Sequence, residues 1–140
     1  MTTLNYTFSI IKPDAFNSGK AGKILAHLEE QGFVLRAARV IHLSHRQAEA
    51  FYAVHRGRPF YEELVTFMSS AQCMPLILQK ENAVLALRDA IGATDPAEAA
   101  PGTVRKLFAE SKGRNAIHAS DSGENATREA RFFFSEADAI

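Results

Sequence analysis

The sequence predicts an α+β sandwich, an antiparallel sheet covered by helices on one face. Two observations carry that expectation. Period-two or continuously apolar segments alternate with segments of helical spacing, in the order strand, helix, strand, helices, strand, helix, loop, short strand, helix, which is a βαββαβ-like pattern. The chain has 140 residues, 46% of them hydrophobic and 23% charged, the ordinary composition of one compact domain. No linker, repeat or low-complexity segment divides it, so residues 1–140 are expected to form a single domain.

Each element has a local reason. Leu4 to Ile10 alternates apolar and polar side chains and reads as a half-buried strand, ending at Lys12-Pro13-Asp14. Ala21, Ile24, Leu25 and Leu28 follow helical spacing, and Gly32 is placed to end that helix in a left-handed cap. A second strand runs from Phe33 to about Ile41. Ser44 with Gln47 three residues on has the form of a capping box and opens a helix carrying Ala48, Phe51, Tyr52 and His55, which Arg56-Gly57-Arg58-Pro59 breaks. Phe60, Leu64, Phe67 and Met68 mark the apolar stripe of the next helix, to about Ser69. The run Cys73 to Gln79 is the third strand, where Pro75 indicates an edge, a bulge or the strand start. Asn82 is placed to cap a helix that Gly92 ends near Ile91. From Gly92 to Ser122, Asp95-Pro96, Pro101-Gly102 and Gly113 punctuate a long loop with one short helix near Thr103 to Ala109, and loops of this size are commonly functional. A last helix starts at Asp121 or Ser122 and runs to about Arg131.

Sixteen Lys plus Arg balance sixteen Asp plus Glu, so no global field attracts a nucleic acid or an anionic membrane, and an anionic ligand needs a local cluster. No apolar run approaches the ~20 residues of a membrane span, and Met1-Thr2-Thr3-Leu4 lacks the basic segment of a signal peptide. A cytoplasmic protein is expected. Without a secretory signal, the sequon-like Asn5-Tyr6-Thr7 and Asn125-Ala126-Thr127 are accidental. The lone Cys73 lies in an apolar run and reads as a small buried hydrophobe.

Neither common phosphate loop is present: Gly19-Lys20-Ala21-Gly22-Lys23 resembles one in composition only. Lys12, Arg88 and Arg105 stand beside turns on separate elements. Each alone reads as a surface charge, and together they can serve a polyphosphate only if the fold makes them converge. His42 and His45 have a weak metal spacing with no third ligand in view, and His27 and His55 fit surface or packing roles. His118 lies in the polar loop, with Glu129 on the helix that follows. A histidine acts from one ring nitrogen once a partner fixes the other, so the residues leave His118 open between a functional and an ordinary role.

Seven segments in register carry a resemblance. Ile10-Ile11-Lys12-Pro13-Asp14-Ala15, Phe51-Tyr52-Ala53-Val54-His55 with Arg58-Pro59-Phe60, Glu81-Asn82-Ala83, Gly92-Ala93-Thr94-Asp95-Pro96, Pro101-Gly102-Thr103-Val104-Arg105, Asn115-Ala116-Ile117-His118 and Ser120-Asp121-Ser122 resemble the nucleoside diphosphate kinase family in order and spacing. The likeness covers about Leu4 to Phe134.

It implies a ferredoxin-like sandwich with a four-stranded antiparallel sheet, and reversible ping-pong transfer of the terminal phosphate of a nucleoside triphosphate, chiefly ATP, to nucleoside diphosphates, maintaining NTP and dNTP pools. By resemblance His118 carries the phosphohistidine, Glu129 orients its ring and Ser120 sits beside that pair. Lys12, Arg88, Thr94 and Arg105 correspond to phosphate ligands, supported by Tyr52. Asn115 corresponds to the reader of the sugar hydroxyl and Phe60 to the ring under the base. Mg2+ is implied as a bridge between nucleotide phosphates, with no metal-binding protein residues, and the family's homodimers associate into tetramers or hexamers. A nucleotide-binding regulatory module without transfer is the alternative; it predicts loss of His118 or Glu129, and both are present.

Four residues at three sites depart from the family pattern. Ala71-Gln72 replaces Gly-Pro before the third strand, Ala119 replaces the glycine after the histidine, and Lys112 replaces an apolar residue facing the base. If position 119 needs a positive φ, its methyl group costs of order 1 kcal/mol. The methylene stem of Lys112 can still cover a base.

Overall fold

The computed structural model describes residues 5–139. Leu4, the expected start of the first strand, lies outside them with Met1, Thr2, Thr3 and Ile140.

In chain order the elements are β1 (Tyr6–Ile11), α1 (Pro13–Asn17), α2 (Ala21–Glu30), β2 (Val34–Ala38), α3 (His45–Phe51), a 3-10 turn at Ala53–His55, α4 (Tyr61–Met68), β3 (Met74–Gln79), α5 (Ala83–Ile91), α6 (Val104–Phe108), β4 (Ile117–Ala119), α7 (Gly123–Phe133) and α8 (Glu136–Ala139). The strands form one sheet in the order β2-β3-β1-β4, every pair antiparallel. The sheet and its helices form a ferredoxin-like α+β fold.

Helices lie on both faces of the sheet, not on one. Phe8 and Ile10 of β1 pack into a core with Phe51, Tyr61, Val65, Met68 and Phe133 of α3, α4 and α7. Ile11, with Leu76 and Leu78 of β3, packs on the other side with Ile24, Leu28, Leu87, Ile91 and Val104 of α2, α5 and α6. β1 is therefore fully enclosed rather than half-buried. Thr7 and Ser9, whose polarity marked a solvent face in the sequence, are both buried, and Ser9 Oγ donates to the His118 carbonyl at 2.6 Å.

Local signals set most boundaries. Both capping-box bonds at Ser44 and Gln47 form, at 2.9 and 3.1 Å, and Ser122 accepts from the Asn125 N–H at 3.1 Å to open α7. Asn82 departs from its expected role: it precedes α5 with φ +53° and its side chain makes no capping bond. Pro75 is the second residue of β3, an interior strand, so its strand-start reading is the correct one and the sheet-edge reading fails. β2 is shorter than expected. It bulges between Leu35 and Ala37 and stops at Ala38, with Ile41 making only an isolated bridge to Cys73.

Two of the departures from the family pattern resolve here. The turn at Ala71-Gln72 is tied down by the Asn17 side-chain amide, which donates to the Pro13 carbonyl at 2.8 Å and the Gln72 carbonyl at 2.9 Å. Ala119 lies in β4 and is absent from the residues with positive φ, so its methyl group carries no backbone penalty. The strained alanine is Ala116, at φ +76°.

Candidate active site

β4 is three residues long and His118 is its middle residue, paired with Ile10 of β1. The histidine ring turns toward α7, where Nε2 lies 2.7 Å from Glu129 Oε1. Ser120 Oγ donates to the same oxygen at 2.6 Å, and the Arg128 guanidinium reaches Glu129 Oε2 at 3.4 Å. The rings of Phe8 and Phe51 meet the imidazole edgewise, each at 6.1 Å between centroids. Burial by itself would raise the Glu129 carboxyl, but the bond and charge of His118, the Ser120 hydroxyl and Arg128 together hold it below its usual range. An ionised carboxylate only accepts, so Nε2 carries the proton and Nδ1 keeps its lone pair. With its side chain 22% exposed, His118 is a positioned nitrogen base or nucleophile in partial contact with solvent.

The turn ahead of β4 is strained. Ile117 N–H donates to the Asn115 carbonyl at 2.9 Å, closing a γ-turn on Ala116. A non-glycine residue held there costs of order 1–3 kcal/mol and persists only where its surroundings dictate it. They do so here: the Ala116 carbonyl accepts from Lys12 N–H at 2.9 Å and its N–H donates to Asp14 Oδ2 at 3.0 Å.

The dispersed cations converge on this strand. Lys12 caps α1 and its Nζ donates to Asn115 Oδ1 at 2.9 Å, while Asn115 Nδ2 donates to the Thr94 carbonyl at 3.2 Å. Burial, reinforced by Arg105 and opposed by Asp14, lowers the Lys12 ammonium from 10.5 to about 8. Arg105 donates to the Ile117 carbonyl at 2.8 Å and the Gly92 carbonyl at 3.0 Å, and burial followed by repulsion from Arg88 lowers it to about 10. Its Nε is buried without a partner. Arg88 is exposed and donates to the Ala119 carbonyl at 3.4 Å. Gly92 makes the approach of α5 and α6 possible: a Cβ there would meet Thr103 Oγ1 at 2.6 Å.

Tyr52 and Phe60 extend the site outward. A row of rings runs from His118 through Phe51 to Tyr52 at 4.9 Å, then His55 at 6.3 Å and Phe60 at 5.3 Å. Phe60 is 46% exposed at the start of α4, an apolar face open to a ligand. The Tyr52 hydroxyl is buried without a partner, and burial, then Cys73 and Glu129, push it well above the usual phenol range, so it stays a neutral donor. Thr94 joins the network through its carbonyl. Lys112 is exposed in a loop that Arg114 ties down through Glu110, at 3.1 Å, and the Phe67 ring of α4, at 5.7 Å.

Sequence reasoning did not single out Ser9, Asp14 or Ala116. Asp14 and Ala116 stood inside the matched segments, but their roles depend on contacts between β1, α1 and β4 that no spacing reveals. Elsewhere, His42 Nε2 is bonded to the Ser69 carbonyl at 2.8 Å. Among the described residues no three His, Cys, Asp or Glu side chains are grouped to hold a metal, and no helix is long and apolar enough to cross a membrane.

A four-stranded ferredoxin-like sandwich with a carboxylate-held histidine and converging cations defines a class of α+β proteins able to handle phosphorylated ligands. A sequence model of the nucleoside diphosphate kinase family matches residues 5–139. Nucleoside diphosphate kinase of Chlorobium chlorochromatii is 58% identical over 134 residues, 96% of each chain, and that of Sorangium cellulosum is 52% identical over 132 residues, 94% of this chain and 92% of the other. The crystal structure of the Aquifex aeolicus nucleoside diphosphate kinase superposes with a TM-score of 0.93 at 43% identity, covering 96% of this chain and 98% of that one. The chain belongs to the nucleoside diphosphate kinase family and is a nucleotide-binding phosphotransferase of that kind.

Proposed function

We propose that the chain acts as one domain over residues 1–140 and moves the terminal phosphate from a nucleoside triphosphate, chiefly ATP, to nucleoside diphosphates through a phosphohistidine on His118. One observation carries this reading: His118 Nε2 is engaged by a buried carboxylate at 2.7 Å, so the lone pair available to phosphorus is on Nδ1.

In the first half-reaction Nδ1 attacks the γ-phosphorus, the bond from that phosphorus to the β,γ-bridging oxygen breaks, and the diphosphate leaves. The Nε2 proton stays on the ring, and the positive charge that develops on the imidazole is met by Glu129, itself fixed by Ser120. In the second half-reaction a terminal oxygen of an acceptor diphosphate attacks the same phosphorus from the opposite side and the N–P bond breaks. Such transfer needs positioning and charge neutralisation more than covalent assistance, which Lys12, Arg88 and Arg105 supply with Thr94, while Tyr52 supports the phosphate end near Lys12. Mg2+ would be held by the nucleotide phosphates rather than by protein side chains and would supply charge neutralisation beside Lys12, Arg88 and Arg105. Phe60 stacks on the base without reading its edge, so base identity matters little, and Asn115 bonds a sugar hydroxyl without excluding a deoxyribose. This chemistry maintains NTP and dNTP pools, and the working compartment is the cytoplasm.

The protein works as a dimer-based homo-oligomer, a tetramer or a hexamer. The free edge of β2, with Val34, Leu35 and nearby Val40 exposed, supports self-association.

The test mixes protein, Mg2+ and γ-labelled ATP without acceptor. One acid-labile, base-stable phosphate per chain is expected, absent in His118→Ala and chased by GDP or dTDP. Nucleotide binding without label overturns the reading in favour of a regulatory module.

A further inference from the structure

Asp14 has no part in the transfer steps proposed above, yet it is buried, 5% exposed. Although it stands in the first turn of α1, its side chain does not cap that helix. Oδ2 crosses to the Ala116 N–H, 102 residues away, at 3.0 Å, and Oδ1 is buried without a partner. A carboxylate with one bond and an unpartnered oxygen is a costly way to hold a turn that a neutral amide could hold as well. The residue that holds the other side of the same turn is Lys12, two residues earlier, whose ammonium Asp14 favours in its charged form.

We propose that Asp14 is a positioning residue for phosphoryl transfer: it fastens the γ-turn at Ala116 that sets Asn115 and His118, and its negative charge holds the Lys12 ammonium charged and in place. The inference rests on the phosphotransfer reading above. Two links support it. Lys12, the cap of α1, and Asp14, in its first turn, grip the same residue, Lys12 through its N–H to the Ala116 carbonyl and Asp14 through Oδ2 to the Ala116 N–H. Lys12 in turn bonds Asn115 at 2.9 Å, so turn and ammonium move as one unit. The charges bearing on Lys12 are Asp14 from α1 and Arg105 from α6, with Arg88 of α5 acting on Arg105; Asn115 is neutral. Asp14 is the anion that opposes the desolvation of Lys12 and the repulsion from Arg105.

Asp14→Asn in the full chain keeps an acceptor for Ala116 N–H and removes the charge. Lys12 is titrated without nucleotide by NMR of 13Cε-lysine, its signal identified by its loss in Lys12→Arg. Its midpoint is expected to fall by about one pH unit. The alkaline limb of kcat/KM for transfer from ATP to GDP moves with it, giving about a twofold loss at pH 7 and about fivefold at pH 8. Asp14→Ala also frees the turn: the Ala116 amide loses hydrogen-exchange protection, and kcat falls even at pH 6, where Lys12 is charged in both forms. An Asp14→Asn midpoint equal to wild type, with or without a change in melting temperature, overturns the proposal. If wild type forms no phosphoenzyme, the phosphotransfer reading fails on its own, and the NMR titration still decides whether Asp14 holds Lys12.

Discussion

Replacing Lys12 with methionine should stabilise the protein while crippling it. The fall of the Lys12 ammonium from 10.5 to about 8 in the folded chain corresponds to about 3 kcal/mol of destabilisation whenever the amine is charged in both states. The methionine stem fills much of the same volume and removes that cost. Against it stands the bond to Asn115 at 2.9 Å, whose loss costs about 1 kcal/mol. The net expectation for Lys12→Met at pH 7 is a gain of about 2 kcal/mol, or roughly 4–8 °C in melting temperature for a chain of this size. The pH dependence gives the sharper check. A lysine with a lowered folded value carries its full penalty below about 8, and the penalty fades as pH rises from about 8 toward 10.5. Wild-type stability should therefore climb over that window relative to the variant, and the two should converge near its top. Urea unfolding at pH 7 and at pH 10, followed by circular dichroism, measures the difference. A variant less stable than wild type at pH 7, or one with the same advantage at both pH values, would refute the reasoning.

Other outcomes follow from the same geometry. Ser120→Ala removes a 2.6 Å donor to a charged oxygen of Glu129 and should slow phosphoenzyme formation about tenfold with little change in nucleotide affinity, read by rapid-quench kinetics. Glu129 is held below its usual range, so its stabilisation is fully present above the unfolded value of about 4.3 and is lost as pH falls through the folded value. Glu129→Gln should therefore flatten the acid side of the stability profile below about pH 5, and an unchanged acid limb in urea titrations would contradict the bond network. Phe60→Ala should weaken nucleotide binding by about 1–3 kcal/mol for every base alike in calorimetry, leaving the single-turnover rate at saturation near wild type.

Much of the frame was legible in residue pattern because its determinants are local. The Ser44 and Gln47 pair specified both bonds it makes, and Ser122 opened its helix where the pattern placed it. The two-sided burial of β1 was hidden because Thr7 and Ser9 carry hydroxyls that fit inside once one of them finds a carbonyl, which only the neighbouring strand supplies. The site was readable to a similar degree. His118 stood out by its setting and Glu129 by its distance along the chain, whereas the meeting of Lys12 with Asn115 and of Arg105 with Ile117 depends on β1 lying beside β4. A positive φ at position 119 was only a condition, and it is not met; the strain sits at Ala116, dictated by bonds from Lys12 and Asp14 at the far end of the sequence.

The sheet order has a consequence for biosynthesis. β1 is made first but lies second from the edge, between β3 and β4. As the chain leaves the ribosome, Phe8, Ile10 and Ile11 wait for residues 74–79 before their first partner exists, roughly 3–14 s at ordinary translation rates. The other edge of β1 stays open until residues 117–119 appear. Until residues 74–79 emerge β1 is an apolar ribbon without a strand partner, and early docking of α2 against it can shield part of that surface.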